Sequence, residues 1–245
     1  MPTSQLAIAD ALRLARSLVG TKIRNQRTLL QRNHLEPPAQ ALDALKRMAA
    51  RADAASSLEA LLGIEGSAAA TYFANFGGLI KVDDAQGIKR FDFRTRNRRP
   101  PRDPVNALLS FAYSMLTRDL TVVCHSIGFD PFVGFYHQMR FGRPALALDL
   151  MEGFRPIVAD SAVLTALNTG MVTDGDFLRA GNGVALTQKG RTGFIRAYEQ
   201  RMDQLVTHPV FGYRISYRRV LEVQARLLAR FLEGEIPTYP GFETR

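Results

Sequence analysis

Three acidic side chains stand where apolar ones are expected. From Leu58 to Phe76 apolar residues recur at helical spacing: Leu58, Leu61, Leu62, Ala68, Ala69, Tyr72, Phe73 and Phe76. Glu65 falls four residues after Leu61 and four before Ala69, inside that stripe. Asp149 and Glu152 are three apart, hence on one helical face, among Leu146, Leu148, Leu150 and Met151. A buried carboxylate must be paired, protonated or bound to a metal, and two together repel unless a cation lies near. The plain readings are an ion pair or a rim position for Glu65, and Arg155, three residues after Glu152, as the cation for the pair. His137 lies fifteen residues before Glu152, on a connection broken by Gly128, Pro131, Gly134 and Gly142. Alone it reads as an ordinary hydrogen-bonded histidine. Together, two or three carboxylates and one imidazole suit Mg2+ or Mn2+. No Cys-x-x-Cys or His-x-x-x-His spacing accompanies them, so zinc has little support.

The chemistry such an ion performs depends on the charge around it. Lys89, Arg90, Arg94, Arg96, Arg98, Arg99 and Arg102 fall within fourteen residues, opposed only by Asp92, so the segment carries +6. Arginine's planar fork matches two phosphate oxygens. Phe91 and Phe93 interleave and either stack on bases or anchor the loop. The 245 residues carry a net charge of +9, with a pI of about 10.1. A divalent ion in a basic protein fits phosphodiester chemistry on a polyanion. On the last helix Arg219, Arg226 and Arg230 share one face, either solvated or facing DNA. The single cysteine, Cys124, excludes a disulfide framework and a Cys-rich zinc module. No stretch approaches ~18 consecutive apolar residues, and the first residues lack a signal peptide's apolar run. The expectation is a cytoplasmic protein without a membrane partner.

Helical spacing dominates the elements that must position these residues. The pattern runs from about Thr3 to Leu30 through Leu6, Leu12, Leu18 and Ile23, and Pro37-Pro38 closes it. A second helix covers Ala39 to Arg51. A third starts near Ser56, in capping-box spacing with Glu59, and stops at Gly77-Gly78. Lys81 to Arg102, with Gly87, reads as a loop. Asp103-Pro104 starts a helix to about Ser126. One helix is expected from Pro144 to Asn168, a small hairpin in FLRAGNGVALT, and two helices over Thr187–Val206 and Ile215–Glu233. The predicted fold is mostly α: a single helical domain over 1–245 with one β-hairpin.

The runs NRRPPRDPVNALLSFAY and GFDPFVGFYHQMRFGRPALALDLMEGFRP resemble the Cas1 family of CRISPR-associated endonucleases and integrases, as do KIRNQRTLLQRN and YPGFETR. The resemblance covers almost the whole chain from about Ala7. It implies a metal-dependent enzyme that inserts prespacer DNA at a CRISPR repeat, working as a homodimer with the small adaptation protein Cas2. It places the metal triad on Glu65, His137 and Glu152, with Asp149 as the neighbouring acid of the catalytic group. Arg98, Arg99, Arg140, Arg143 and Arg155 are then candidate DNA contacts. Asn106 and Tyr113 support the core or the site. Family members usually begin with a β-rich domain, and this chain starts almost at the first helix. A compact integrase, the catalytic part of a fusion and a truncated product are the readings of that start. A casposon-type transposase and a non-catalytic DNA-binding scaffold are the rival functions.

Overall fold

The computed structural model describes residues 8–81 and 91–244. Leu6, Gly87, Lys89, Arg90 and the expected start at Thr3 lie outside them. The first helix, α1 (Ile8–Asn33), is the axis of the molecule and packs on α2 (Ala39–Asp53), α3 (Leu58–Phe76) and α5 (Ala145–Phe154). Leu18, Val19, Thr21, Lys22 and Ile23 are all buried, so this stretch of α1 faces protein on every side. Ser57, one residue later than expected, caps α3 by accepting the Ala60 N–H at 3.1 Å. Helix α4 (Pro104–Ile127) begins as its sequence requires, with the Asp103 carboxylate accepting the Asn106 N–H at 2.8 Å. This helix alone among the described residues is long and apolar enough, by length and composition, to cross a bilayer. It packs instead as a core helix, with Leu108, Leu109, Leu116 and Leu120 buried and α5 against it.

The helix expected over Pro144–Asn168 is three pieces. Helix α5 ends at Phe154, a π turn spans Arg155–Asp160, and α6 runs Ser161–Asn168. The cause is Pro156, which has no N–H to donate and whose ring collides with the carbonyl a turn earlier. The widened turn accommodates it. The expected hairpin forms, as β1 (Phe177–Ala180) and β2 (Gly183–Leu186), antiparallel with Phe177 opposite Leu186. A further helix, α7 (Gln188–Asp203), ends three residues before the expected Val206. The chain then becomes extended, and β3 (Leu205–Thr207) pairs with β4 (Arg214–Ser216), with Val206 opposite Ile215. The fold is mostly α, with two small strand pairs where one was expected. Ser216 caps the last helix, α8 (Tyr217–Leu232).

Beyond α8 the chain returns to α1. The Ser17 hydroxyl donates to the Tyr239 carbonyl at 2.8 Å. The Asn25 amide donates to the Phe242 carbonyl at 2.8 Å and to the Gly153 carbonyl at 2.9 Å, and its oxygen accepts the Thr244 N–H at 3.0 Å. Arg24 pairs with Glu243 at 2.6 Å.

Candidate metal-binding site

Glu65 on α3 and Glu152 on α5 face each other, and His137 approaches from the connection between α4 and α5. Two hydrogen bonds fix the acids' neighbours. His137 Nδ1 lies 2.7 Å from Asp149 Oδ1. Nδ1 faces Asp149, and the other ring nitrogen, Nε2, faces Glu152 Oε1, 3.6 Å away. The Tyr136 hydroxyl donates to Glu65 Oε2 at 2.7 Å. Asp149 also accepts the backbone N–H groups of Phe135, Tyr136 and His137 at 2.6, 3.0 and 2.8 Å. One carboxylate therefore holds both the loop and the imidazole on it. The loop lies close enough to α5 that a Cβ on Gly134 would meet the Ala145 Cβ at 2.7 Å and Asp149 Oδ2 at 3.0 Å.

Positive charge comes from two sides. Lys22, on the buried stretch of α1 and 7% exposed, puts its ammonium against Glu65 Oε1 and 2.6 Å from Glu152 Oε2. Arg155, the first residue of the π turn, lies 3.1 Å from Glu152 Oε1. Burial alone would raise the Glu152 pKa, but Arg155, then Lys22 and His137, outweigh it and hold the carboxyl at about 2. The Arg155 guanidinium also sits 4.9 Å from the centre of the Tyr113 ring. The Tyr113 and Tyr72 hydroxyls donate to Asp160 at 2.7 and 2.8 Å. Burial pushes the Asp160 carboxyl up to about 6 against the pull of those hydroxyls and of Arg155 and Arg96.

The donor types fit a divalent ion. Two carboxylates from different helices and an imidazole with its far nitrogen pinned are oxygen and nitrogen ligands suited to Mg2+ or Mn2+. The Lys22 ammonium lies between Glu65 and Glu152, where the pair takes a cation, and Glu152 Oε2 is buried, its contact there an ion pair rather than a hydrogen bond. Among the described residues no three His, Cys, Asp or Glu side chains already close on one point. An ion held by both glutamates requires the ammonium to yield.

The candidate residues divide by position. Glu65, His137, Asp149 and Glu152 are brought together. Arg155, expected as the partner of Glu152 and as a DNA contact, is the partner, its side chain 15% exposed. Arg98, Arg99 and Arg140 are exposed and Arg143 half-buried, with no ion pair among the described residues. Arg96 turns inward, donating to Asn106 Oδ1 at 2.7 Å and Ser110 Oγ at 3.1 Å. Phe91 and Phe93 are buried, Phe93 against Phe76 at 5.2 Å and Phe91 against Phe177 at 6.0 Å, so they anchor the loop. Asn106 is buried in this support, accepting the Asn97 N–H at 3.0 Å. Arg219 pairs with Glu222, and Arg226 and Arg230 are exposed. Sequence reasoning passed over Lys22, Tyr136 and Asp160. A cavity of about 920 Å3, lined by Arg32, Lys81, Ser161, His208 and Tyr217 among others, includes none of the four acid and imidazole residues.

Residues 4–200 match the family described as CRISPR associated protein Cas1. The chain belongs to the Cas1 family. It is 56% identical, over 240 residues, to a CRISPR-associated exonuclease Cas4/endonuclease Cas1 fusion of Geobacter sulfurreducens, covering 96% of this chain and 43% of the relative. To the CRISPR-associated endonuclease Cas1 3 of Thermus thermophilus it is 42% identical, covering all of this chain and 68% of the relative. A solved chain of a partial Cas6-RT-Cas1–Cas2 complex superposes with a TM-score of 0.82 at 26% identity, over 97% of this chain and 69% of that one. The chain thus spans less than half the length of the Geobacter Cas4/Cas1 relative.

Proposed function

We propose that this Cas1 chain is a metal-dependent DNA endonuclease and integrase of CRISPR adaptation. The 3′-oxygen of a prespacer end attacks a phosphorus at the edge of a CRISPR repeat. The new P–O bond forms in line as the repeat's own 3′-oxygen leaves and takes up a proton, so strand joining consumes no external energy source. Mg2+ or Mn2+ held by Glu65, His137 Nε2 and Glu152 would supply Lewis-acid stabilisation of the phosphate charge and a lower barrier for the nucleophile. Asp149 fixes the His137 ring with Nε2 turned toward Glu152. Arg155 holds Glu152 ionised and in place. Arg98, Arg99, Arg140 and Arg143 contact the DNA phosphates. The proposed assembly is a homodimer that works with Cas2 on prespacer and repeat DNA, in the cytoplasm. Family membership supports the reading, as does the name of a solved neighbour, a Cas1–Cas2 complex.

The observation that carries the proposal is His137 pinned by Asp149 with its free nitrogen turned to Glu152. His137→Ala is expected to lower strand joining in Mn2+ by roughly 100-fold or more, beyond the loss typical of an outer-shell partner. DNA retention should be nearly unchanged, because the imidazole contributes little to phosphate binding. Undiminished joining by that variant overturns the assignment. Retention without any joining by the unaltered chain marks a binding scaffold instead, and joining confined to terminal-inverted-repeat DNA marks a transposase.

A further inference from the structure

The cavity of about 920 Å3 lies among the last turn of α1, helix α6 and the β3–β4 pair, and its wall is unevenly charged. Arg32, Lys81 and Arg201 line it against one acid among the described residues, Glu243, and Arg24 holds that acid at 2.6 Å. Arg201 is the anomaly. Its guanidinium donates to the Ile157 carbonyl at 2.6 Å, to Gln204 Oε1 at 2.5 Å and to the Tyr217 hydroxyl at 3.2 Å. It also lies 4.6 Å from the centre of the Tyr217 ring. All of these partners are neutral, and no carboxylate among the described residues pairs with it. Burial therefore pulls the Arg201 pKa below its usual value. A charge withdrawn from water is costly until a counter-charge meets it. Arg32, exposed on the last turn of α1, is close enough to act on the same Tyr217 hydroxyl. His208, fully buried in the wall, supplies a further donor. Its Nδ1 accepts the Val210 N–H at 3.3 Å, so the ring proton sits on Nε2, which is buried with no hydrogen-bond partner among the described residues.

We propose that this cavity binds a nucleoside polyphosphate, with the phosphates between Arg32, Lys81 and Arg201 and the base against Leu29, Leu164 and Val206. Three cations from three separate segments match a ligand that carries several negative charges. The arginine forks each take two phosphate oxygens. The volume is that of an organic-ligand pocket, roughly 300–1,000 Å3, and a single inorganic phosphate would leave most of it unfilled. Apolar and polar walls together suit a ligand with a flat ring at one end and charge at the other. The site goes beyond the DNA-joining reading and shares no residue with it.

The test is isothermal titration of the full 245-residue chain with ATP, tripolyphosphate and adenosine, at about 0.15 M salt and without divalent metal. ATP should bind once per chain, and tripolyphosphate and adenosine should each bind about tenfold more weakly or worse. Arg32→Gln and Arg201→Gln should each weaken ATP by about tenfold, the loss of one charge-assisted hydrogen bond. Arg226→Gln removes an equal charge from an exposed position outside the cavity and should leave the affinity unchanged. Arg201→Gln also breaks the contact with the Ile157 carbonyl, so the exposed Arg32 carries the decision if that variant folds poorly. Saturating duplex DNA should leave ATP binding in place. The proposal is overturned by undetectable ATP binding at millimolar concentration, by an equal loss in Arg226→Gln, or by displacement with duplex DNA, which would assign the phosphates to a nucleic-acid path. Tripolyphosphate binding as tightly as ATP also overturns it, in favour of a bare polyphosphate. None of these outcomes depends on strand joining, which is measured in parallel.

Discussion

Glu65 and Glu152 come from different helices and share the ammonium of Lys22. Remove that charge and the buried Glu152 and half-buried Glu65 are left with Arg155, His137 and the Tyr136 hydroxyl beside them. Breaking a buried pair costs about 3–5 kcal/mol, and at this chain length each kcal/mol moves Tm by about 2–4 °C. Lys22→Met is therefore expected to lower the Tm of the metal-free protein by roughly 10 °C. The same change removes the cation that bridges the two acids, so Mn2+ should bind about tenfold tighter or more and restore part of the loss. Melting curves and an Mn2+ titration followed by electron paramagnetic resonance measure both. Lower stability with unchanged Mn2+ affinity would reduce Lys22 to a structural role. The acids were legible in the sequence because a carboxylate in an apolar stripe is an anomaly. Lys22 was not, because on a helix with Arg13, Arg16, Arg24 and Arg27 one more cation reads as solvated surface. Its burial shows only when α3 and α5 close over that turn of α1.

The π turn at Arg155–Asp160 ties α5 to the rest of the core through charge. It delivers Arg155 to Glu152 and Asp160 to the hydroxyls of Tyr72 and Tyr113. Burial, the largest influence, raises Asp160 to about 6, against about 3.9 in an unfolded chain. The folded protein binds this proton more tightly, so its contribution is complete below about pH 4 and lost as pH rises through about 6. The loss from this group amounts to about 3 kcal/mol. Asp160→Asn should flatten stability between pH 4 and 6, which urea unfolding at a series of pH values will show; an unchanged slope would assign the dependence to other groups. Pro156 announced the break in the sequence, yet the apolar periodicity on both sides of it matched a single helix, and a π turn preserves that periodicity while shifting the register. The β3–β4 pair was illegible for another reason. Strands of three residues carry too few positions to display alternation, and their partners are set by the turn between them. The hairpin at Phe177–Leu186 had a Gly-Asn-Gly turn to mark it.

At the scale of the molecule, the segment Tyr239–Thr244 is a clasp across α1. Asn25, fully buried, makes hydrogen bonds to the Phe242, Gly153 and Thr244 backbones and so joins α1, α5 and the final residues. Asn25→Ala strands the buried carbonyls of Gly153 and Phe242 and the N–H of Thr244. At about 1–3 kcal/mol for each unsatisfied group, a total near 4 kcal/mol is expected after partial relaxation, read as a lower urea midpoint with an unchanged m value. A loss under about 1 kcal/mol would show that the tail does not clasp. The resemblance to KIRNQ and to YPGFETR marked both sides of this contact in the sequence, although neither motif alone indicated that they touch. Asn25 and Thr244 are 219 positions apart. At roughly 5–20 residues per second, synthesis separates them by on the order of ten to forty seconds. The helix that carries Lys22 thus waits for these backbone partners until 219 further residues have been made.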